Sequence, residues 1–478
     1  IDREGINLGV GQQIAVNFVV VPQIVKTEIS VDGGEVFTVD STSAKIGVNV
    51  SEREVANLPI NGRQISQLYL LAPGASTAGG GSYDNIRFSG RSNQQNAIRY
   101  DGIEGSSIID NSPGNLNGQI SSFFRLQSSL ENVQEFRVES NNYPAEYGTG
   151  TGGQITVITK SGGNTTHGSL FEYLRNDAFD ARNFFDGANK NPLRLNQFGA
   201  SAGGALAKDR TFWFLSNENL RQRQSIPFRE AVPSDSARAR AVAAVQPLLS
   251  LFPRGSIATA DPNASIVAVD QSQSVNEVSV GSRVDHRWND SVNSYLRYFR
   301  DQGNSFQPLG VTGNGVAVTA VPQNAIFNTQ WIVSPQMINE FKVGVNAYKT
   351  RAWGSAPVVN GFNPADISVN LTGGVAIAGI GSQGANAGFA TPGGLVRSNS
   401  ATNGRGQPYT NTSWSFIDNL TWIKGSHNVK MGGEYRRIQL LTDRLGGTTY
   451  SFSNVEDLIN NRPTQIQFLG DLSAPSPF

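Results

Sequence analysis

Apolar and polar residues alternate with a period of two along much of this chain, which is the pattern of a β-strand with one buried face. The alternation is clearest in residues 131–160, where two predicted strands flank a glycine-rich turn that follows Tyr147. Glycine suits such a turn because it tolerates positive φ and allows backbones to approach closely. The strands are defined by Val133, Phe136 and Val138 in the first and by Ile155, Val157 and Thr159 in the second.

The alternation returns after Ser161 and predicts about nine further strands. In residues 340–348 and 277–288 one face is apolar and the other polar, as expected of a strand between lipid and water. Tight turns are predicted between several of these strands, at 208–210, 289–290, 335–336 and 424–426. Long polar connections are predicted near 224–274, 303–322 and 354–410.

Short turns on one side and long connections on the other are typical of an outer-membrane β-barrel. A soluble β-sandwich would also alternate, but it rarely needs several long loops without secondary structure. Single-chain bacterial barrels have an even number of strands, so we expect the barrel in this chain to be incomplete. An aromatic girdle at the membrane surface, rather than packing in a soluble core, would explain five tryptophans in the predicted strands: Trp213, Trp288, Trp331, Trp414 and Trp422.

Two short helices are predicted before the 131–160 region. Ser51 and Glu54 have the spacing of a capping box, which predicts a helix over residues 51–58. A second helix follows Pro59, and its apolar face comprises Ile65, Leu68 and Leu71. Residues 86–102 then predict two short strands around a polar turn, with four charged residues close together in sequence: Arg87, Arg91, Arg99 and Asp101.

Composition narrows the class of protein. The chain has 478 residues, of which 38% are hydrophobic and 16% charged, and 52 glycines favour turns and strands over helices. The net charge of zero does not indicate the positively charged surface that binding to nucleic acid would need. The chain contains no cysteine, which excludes disulfides and thiolate sites. The sequence has no run of eighteen apolar residues, so it predicts no transmembrane helix. Barrel strands of about ten alternating residues are a different case, because averaged hydropathy does not detect them.

Two glycine motifs have the spacing of catalytic or cofactor sites. Gly148, Gly150 and Gly153 match the dinucleotide-binding G-x-G-x-x-G, but a predicted strand follows them instead of the required helix. The G-x-S-x-G around Ser201 lies inside the alternating strand 197–206, whereas a nucleophile elbow needs a strand-to-helix turn. We therefore expect neither an enzyme nor a cofactor site.

Metal binding is not predicted either. His167, His286 and His427 are isolated and lack the spacing of a metal site. An acidic loop is best interpreted as solvated or in contact with calcium, and it contains Asp177, Asp180 and Asp186 beside Arg175 and Arg182.

Five segments resemble, in order, TonB-dependent outer-membrane receptors, most closely the Oar-like branch. NLPINGRQISQLYLLAPG (57–74), RFSGRSNQQNAIRYDG (87–102) and ENVQEFRVESNNYPAEYGTGTGGQITVITKSGGN (131–164) resemble blocks of the plug domain. LRLNQFGASAGGALAKDRTFWFLSNENLRQRQ (193–224) and GSHNVKMGGEYRR (425–437) resemble barrel strands.

The resemblance implies a mainly β fold in which a small mixed α/β plug domain precedes an antiparallel transmembrane β-barrel. Its expected parts are the end of a carboxypeptidase-regulatory-like immunoglobulin-type domain (1–22), a linker (23–50), the plug (51–163) and the N-terminal part of the barrel (164–478). It also implies the bacterial outer membrane, contact with its lipid, a periplasmic TonB-type energy-transducing partner, and an extracellular small-molecule, oligosaccharide or peptide cargo. A surface-exposed adhesion or matrix-associated β-protein without transport is the alternative.

The same resemblance implies polar contacts between the plug and the barrel wall. On the plug these would be Arg87, Arg91, Arg99, Asp101, Glu135 and Arg137. Their partners on the lumen-facing side of the barrel strands would be Arg283, Asp285, Glu340 and Lys342.

Overall fold

The computed structural model describes residues 45–60, 63–77, 86–106, 128–144, 146–182, 190–376, 386–395, 407–442 and 447–469. Residues 1–22 and most of 23–50, for which a terminal β-domain and a linker are predicted, lie outside these ranges. In the described part of the chain, no helix is long and apolar enough to cross a membrane.

Strands dominate the described residues. In chain order they are β1 (Ile46–Val50), β2 (Ala75–Thr77), β3 (Ile86–Phe88), β4 (Ala97–Tyr100), β5 (Ile103–Glu104), β6 (Val133–Asn141), β7 (Gln154–Thr159), β8 (His167–Asn176), β9 (Leu193–Ala207), β10 (Thr211–Pro233), β11 (Ile257–Ala258), β12 (Ala264–Arg287), β13 (Val292–Pro308), β14 (Gly315–Ser334), β15 (Met337–Ser355), β16 (Ile367–Leu371), β17 (Gly374–Ala376), β18 (Asn386–Gly388), β19 (Gln407–Lys424), β20 (His427–Thr442), β21 (Gly447–Phe452) and β22 (Gln465–Leu469). The α-helices are α1 (Glu52–Asn57), α2 (Asp235–Ala239), α3 (Gln246–Ser250) and α4 (Val455–Ile459). Short 3-10 helices span Ile65–Leu71, Asn93–Gln95, Leu130–Asn132 and Ala243–Val245.

A five-stranded sheet, called the small sheet below, has the strand order β1-β6-β7-β4-β5. The two strands predicted in residues 131–160 are β6 and β7, and they pair antiparallel as expected of a hairpin. The two strands predicted in 86–102 do not pair with each other, because β3 pairs with β2 whereas β4 runs parallel to β7. The small sheet is therefore mixed.

A β-bulge explains an irregularity in the apolar pattern of β6. Val133 and Phe136 are three residues apart, yet both are buried in the same core. The register with β7 shifts between Val133 and Glu135, and a bulge inserts the extra residue that keeps both side chains on one face. Phe136 packs edge-on against Tyr69 at a centroid distance of 5.7 Å, which joins the sheet to the second predicted helix.

The capping box at Ser51 is present, and the Glu54 carboxylate accepts the Ser51 backbone N–H at 2.8 Å. The second predicted helix is a 3-10 helix, Ile65–Leu71, rather than an α-helix. Its apolar residues recur every three positions, which is the period of a 3-10 helix. Ile65 and Leu68 are buried as predicted, but Leu71 is 49% exposed.

A larger open sheet, called the large sheet below, has the order β20-β19-β15-β14-β13-β12-β10-β9-β8, with β11 attached to β12. Adjacent strands in this order pair antiparallel, and they follow one another along the chain except where β11 intervenes between β10 and β12 and β16 to β18 intervene between β15 and β19. The four predicted tight turns all connect consecutive strands of this sheet. The mainly β, antiparallel fold class is thus confirmed.

The strands of the large sheet are longer than predicted. β12 has 24 residues and β10 has 23, so much of the connection predicted at 224–274 is strand. The long connection predicted at 303–322 is wrong, because β13 and β14 extend to leave only residues 309–314 between them. Where both faces of a strand are polar, as they are beyond a bilayer, alternation disappears from the sequence although pairing continues.

Each strand of the large sheet presents alternate residues to two environments. In β15 the side chains of Asn346 and Tyr348 are buried on the inner face, toward the small sheet, while Phe341 is 37% exposed on the outer face. β12 repeats this arrangement, with buried Glu277 and Ser279 inside and Val280 and Val284 outside. The inner face is therefore the more polar one, the reverse of a soluble sheet.

The smaller elements form a cap over one end of the large sheet, where the long connections lie. α2, α3 and α4 share an apolar cluster with the ends of β10 and β12 and with β16 and β21, including Val232, Leu249, Val267, Val369 and Leu458. β16 pairs with β21, which pairs with β22. The tight turns lie at the opposite end of the sheet.

Candidate functional site

The candidate site is the contact between the small sheet and the inner face of the large sheet. Apolar contact is limited to a few side chains. Tyr100 of β4 packs edge-on against Phe299 of β13 at 5.0 Å, and Ile103 of β5 packs against Ile326 and Ile417. The rest of the described contact is made by charged and hydrogen-bonding groups.

The first charged cluster is centred on Asp101, which follows β4 and has a φ of 52°. Its carboxylate accepts a hydrogen bond from Arg297 Nε of β13 at 3.0 Å, and Arg283 Nη1 lies 4.0 Å away. Thr159 of β7 donates its backbone N–H and its hydroxyl to the same carboxylate, at 3.0 and 2.8 Å. Asp101 and Arg297 are both almost fully buried, so this is an ion pair removed from water.

Arg297 and Arg283 lie on the large sheet, called the wall below, and are oriented by further contacts on both sheets. Arg297 donates to Asn324 Oδ1 at 2.5 Å and to the Tyr100 carbonyl at 3.3 Å. Arg283 donates to the Thr159 carbonyl at 2.9 Å and forms an ion pair with Asp285 at 2.7 Å. The two guanidinium groups thus reach backbone as well as side-chain acceptors on the small sheet.

The pKa of Asp101 reflects this environment. Burial disfavours the charged carboxylate, but Arg297, Arg283 and the two Thr159 hydrogen bonds outweigh it and hold the pKa below its ordinary value. A carboxyl whose pKa is lower in the folded state stabilises that state above its ordinary pKa of about 4, and this contribution is lost as the pH falls through the folded value.

We therefore expect acid to loosen the small sheet. The protection factor against hydrogen exchange of residues 154–159, corrected for intrinsic exchange rates, should fall as the pH decreases below about 4. The Asp101→Asn variant should show a weaker acid dependence over the same range. Equal acid dependence in the variant and the wild type would contradict the assignment of this effect to Asp101.

A second cluster surrounds Arg63. Its guanidinium bridges Glu131 at 2.8 Å and Glu218 of β10 at 3.2 Å. Glu218 is fully buried and also accepts hydrogen bonds from Gln197, at 2.6 Å, and from Ser129. Burial opposes ionisation of Glu131, but hydrogen bonds from Ser169 and Ser201 and the charge of Arg63 lower its pKa. This cluster joins residues before β6 to β8, β9 and β10.

A third cluster lies at the β20 side of the large sheet. Glu104 of β5 forms an ion pair with Arg436 of β20 at 2.8 Å, and Arg436 pairs with Glu434 at 2.6 Å. Arg99 Nη1 lies 3.7 Å from Glu434. Between this cluster and the first, wall side chains donate hydrogen bonds to three consecutive backbone carbonyls of the small sheet: Asn324 to Glu104, Tyr348 to Gly105 and Asn346 to Ser106.

The predicted contact residues fall into two groups by position. Asp101, Arg99 and Arg283 each bond or lie close to the opposite sheet, while Asp285 bonds to Arg283 and Lys342 bonds to Glu340, at 3.1 Å, on the wall. Arg91 bonds to the Thr151 carbonyl and Arg137 bonds to Glu139 and Asn49, all within the N-terminal part. Arg87 is exposed in β3, and Glu135 is half-buried in β6. The role of the predicted residues as plug–barrel contacts stays a prediction.

Sequence reasoning missed Arg297, Glu218, Arg63 and Arg436. The available signal was that alternate residues of a strand lie on the same face. In the strand predicted over 291–300, Arg297 therefore shares a face with Tyr295 and Phe299, whereas Arg300 lies on the other face. The face of a residue does not identify its partner, because the partner can be far away in sequence: Asp101 and Arg297 are 196 residues apart.

The motifs that resembled catalytic sites have structural explanations. Gly150, at φ +80°, and Gly153 precede β7, and a Cβ on Gly153 would lie 2.3 Å from the Phe88 ring. Ser201 lies within β9 and donates its hydroxyl to Glu131 at 2.9 Å. In the predicted acidic loop, Asp180 pairs with Arg175 at 2.7 Å, and Asp186 lies outside the described residues. Among the described residues, no group of three or more histidine or carboxylate side chains is arranged to hold a metal ion.

The outer face of the large sheet carries an exposed apolar band. It includes Leu215, Val284, Leu296, Phe327 and Tyr435 on five strands. Four of the five tryptophans lie toward the tight-turn end of this band, and Trp288 and Trp331 are 60% and 51% exposed there. Trp414 lies in the middle of β19 instead.

Comparisons with known proteins agree with this architecture. Residues 158–247 and 237–469 match the family described as outer membrane beta barrel domain. Because the match covers more than half of the sequence, the chain belongs to this family. Its location is the bacterial outer membrane.

Two relatives extend the comparison. The TonB-dependent transporter Oar of Myxococcus xanthus is 27% identical over 231 residues, which cover 44% of this chain and 20% of that protein. The outer membrane transporter YddB from Escherichia coli matches with a TM-score of 0.57 at 14% identity, over 89% of this chain and 52% of that one. The chain therefore spans only 20% of the length of Oar and about half the length of YddB. The resemblance to the Oar-like branch is confirmed.

The outer band gives a test of membrane insertion. Leu296→Arg places a charge between Val284 and Phe327 in the apolar band of the outer face, and an arginine facing the bilayer midplane costs about 2–4 kcal/mol. We expect a loss of this size in the free energy of unfolding of the full-length protein in lipid vesicles, measured with urea. Ser272→Arg, on the same face but beyond the band, is the matched control and should cost much less.

Proposed function

We propose that this chain is part of an outer-membrane TonB-dependent receptor that binds an extracellular nutrient and imports it through a plugged β-barrel. In this proposal residues 51–163 form the plug, and the large sheet is the part of the barrel wall that holds it. The observation that carries the proposal is the placement of the small sheet against the polar inner face of the large sheet. The homology to the transporter Oar supports it.

The chemistry of the contact suits a plug that moves. A permanent interface between two units is normally apolar, whereas one that opens repeatedly is smaller and more polar. The contact described above is dominated by three charged clusters and three hydrogen bonds to backbone carbonyls. Water can replace each of these bonds when the small sheet moves, so that opening exposes little apolar surface.

Energy for opening would come from a periplasmic TonB-type partner that pulls on the chain before residue 45. The first described element on that path is β1, which pairs with β6 at the edge of the small sheet. A force on β1 would therefore be transmitted to β6. Glu131 of the Arg63–Glu131–Glu218 cluster lies just before β6 in sequence. That cluster is therefore a candidate for the first contact to break.

The test is uptake by cells that carry the full-length protein. A panel of labelled siderophores, oligosaccharides and peptides is offered with and without an ionophore that collapses the proton gradient of the inner membrane. We expect at least one compound to be taken up only when the gradient is intact. Uptake that ignores the gradient would indicate a passive channel and contradict energy coupling.

The same assay separates transport from adhesion. Surface binding of a compound or matrix without any uptake would favour an adhesion protein. Deletion of residues 51–160 provides the control, since a transporter loses gated uptake without its plug whereas an adhesion protein keeps its binding.

A further inference from the structure

We propose that the outer face of the β9–β10 hairpin binds the phosphate groups of a lipid in the outer leaflet. The site consists of Arg194, Arg221 and Arg223, called the arginine patch below. It lies on the side of the sheet opposite to the proposed plug and does not depend on transport.

The first argument is the pairing of like charges. Arg194 and Arg223 lie directly opposite each other in the β9–β10 ladder, and both side chains are exposed. Directly opposed side chains have Cβ atoms about 4.5–5.5 Å apart, and like charges in this position destabilise the strand pair. An anion bound between them would remove that repulsion.

The second argument concerns the partners of these arginines. Arg221 donates to the carbonyls of Leu220 and Glu277 at 2.9 and 2.7 Å, and Arg223 donates to the Gln222 carbonyl at 2.7 Å and to Asn276 at 3.1 Å. These acceptors are neutral, and the ion pairs found among the described residues include none of the three arginines. The patch therefore keeps its full positive charge available to a ligand.

The third argument is position relative to the membrane. On the same hairpin, the outward side chains nearer the tight turn include Phe198, Leu206 and Leu215, which are exposed and belong to the apolar band. The arginine patch follows this band toward the long connections, which face the cell exterior in outer-membrane barrels. Acyl chains can cover the band while the headgroup of the same lipid reaches the arginines, whose planar guanidinium groups suit phosphate oxygens.

The wider outer face supports the same placement. Moving along the sheet, a cation also lies at this edge of the band on other strands, namely Arg300 of β13 and Lys349 of β15. On the outer face of the described strands, the arginine patch is where two cations directly oppose each other; the opposed pair Arg283 and Arg297 lies on the inner face, where Asp101 lies between the sheets. We therefore expect the strongest lipid site there.

The test uses the full-length protein in detergent micelles and counts bound lipid by native mass spectrometry. The probes are bisphosphorylated lipid A, the same lipid without its phosphates, and inorganic phosphate. Arg194→Gln/Arg223→Gln removes the opposed pair, and Lys208→Gln/Arg210→Gln removes the same charge from the tight-turn end of the same hairpin. Arg221→Gln, which leaves the opposed pair in place, is a second variant of the patch.

We expect bisphosphorylated lipid A to bind the wild type and the Lys208/Arg210 variant equally. Its affinity for the Arg194/Arg223 variant should fall about thirtyfold, since each cation near an anionic headgroup contributes roughly fivefold, and Arg221→Gln should give the smaller loss. Dephosphorylated lipid should bind no better to the wild type than to the Arg194/Arg223 variant.

Two results would overturn the proposal. Equal loss of lipid A binding in the two double variants would show a general charge effect. Inorganic phosphate binding as tightly as lipid A would assign the arginines to a soluble anion instead. Misfolding does not obscure the outcome, because removing a like-charge pair should leave the urea unfolding midpoint unchanged or raise it.

Discussion

Replacement of Arg297 by methionine should release the small sheet from the wall at markedly lower urea concentrations. The substitution leaves the buried Asp101 carboxylate without its closest cation, and removing one partner of a buried ion pair costs about 3–5 kcal/mol. Asp101→Asn should have a comparable effect because it leaves the guanidinium of Arg297 buried. With a urea dependence of about 1–3 kcal/mol per molar, the midpoint should fall by at least about 1 M.

The measurement is the ion conductance of single full-length proteins in planar bilayers as urea is added, because in the proposed function displacement of the small sheet opens the barrel. The double variant Asp101→Asn/Arg297→Met should open at a urea concentration well above that expected from the sum of the single effects, since it leaves no unpaired charge. Asp290→Asn, which removes the 98% exposed partner of Arg287 in a tight turn, is the control and should leave the midpoint unchanged. Unchanged midpoints in both single variants would contradict a structural role for the buried pair.

Replacement of Phe136 by alanine should destabilise the small sheet by about 3–5 kcal/mol. Phe136 is 1% exposed in the core of this sheet, and its ring packs on Tyr69, so truncation leaves a cavity between β6 and the 3-10 helix. The strands of the large sheet are held by pairing with one another, so we expect its stability to change little. The substitution therefore separates the energetics of the two sheets.

Hydrogen exchange followed by mass spectrometry on the full-length protein checks this result. Peptides covering residues 133–141 and 154–159 should lose protection, while peptides from β12 to β15 keep theirs. Leu71→Ala, which truncates a side chain that is 49% exposed on the same 3-10 helix, is the matched control. Equal loss of protection in β12 to β15 would mean that the two sheets unfold as one unit.

Several features of the fold follow from local sequence. The period-two pattern located the strands of the large sheet, because each separates an apolar from a polar environment over a bilayer-sized length. The tight turns were located where a few polar or glycine residues interrupt that pattern. Ser51 and Glu54 predicted the start of α1 because a capping box involves residues three positions apart.

Other features depended on contacts between distant parts of the chain. The bulge in β6, the parallel pairing of β4 with β7, and the extension of β13 and β14 through residues 303–322 were not evident locally. In each case the backbone N–H and C=O groups form hydrogen bonds with a neighbouring strand, and these bonds do not depend on the polarity of the side chains. Strand length beyond the membrane therefore leaves no apolar pattern in the sequence.

The candidate site shows the same division. Sequence alone marked Arg99 and Asp101 as charged residues in a small strand region, and the alternation in β12 and β15 placed Arg283 and Lys342 on the polar side of the wall. The sequence thereby determined the class of protein and the polar face of β12 and β15. Only the tertiary structure decided that Asp101 meets Arg297, Arg63 meets Glu218, and Glu104 meets Arg436. The reason is physical, since ion pairs depend on distances of a few ångströms between side chains that lie more than a hundred residues apart.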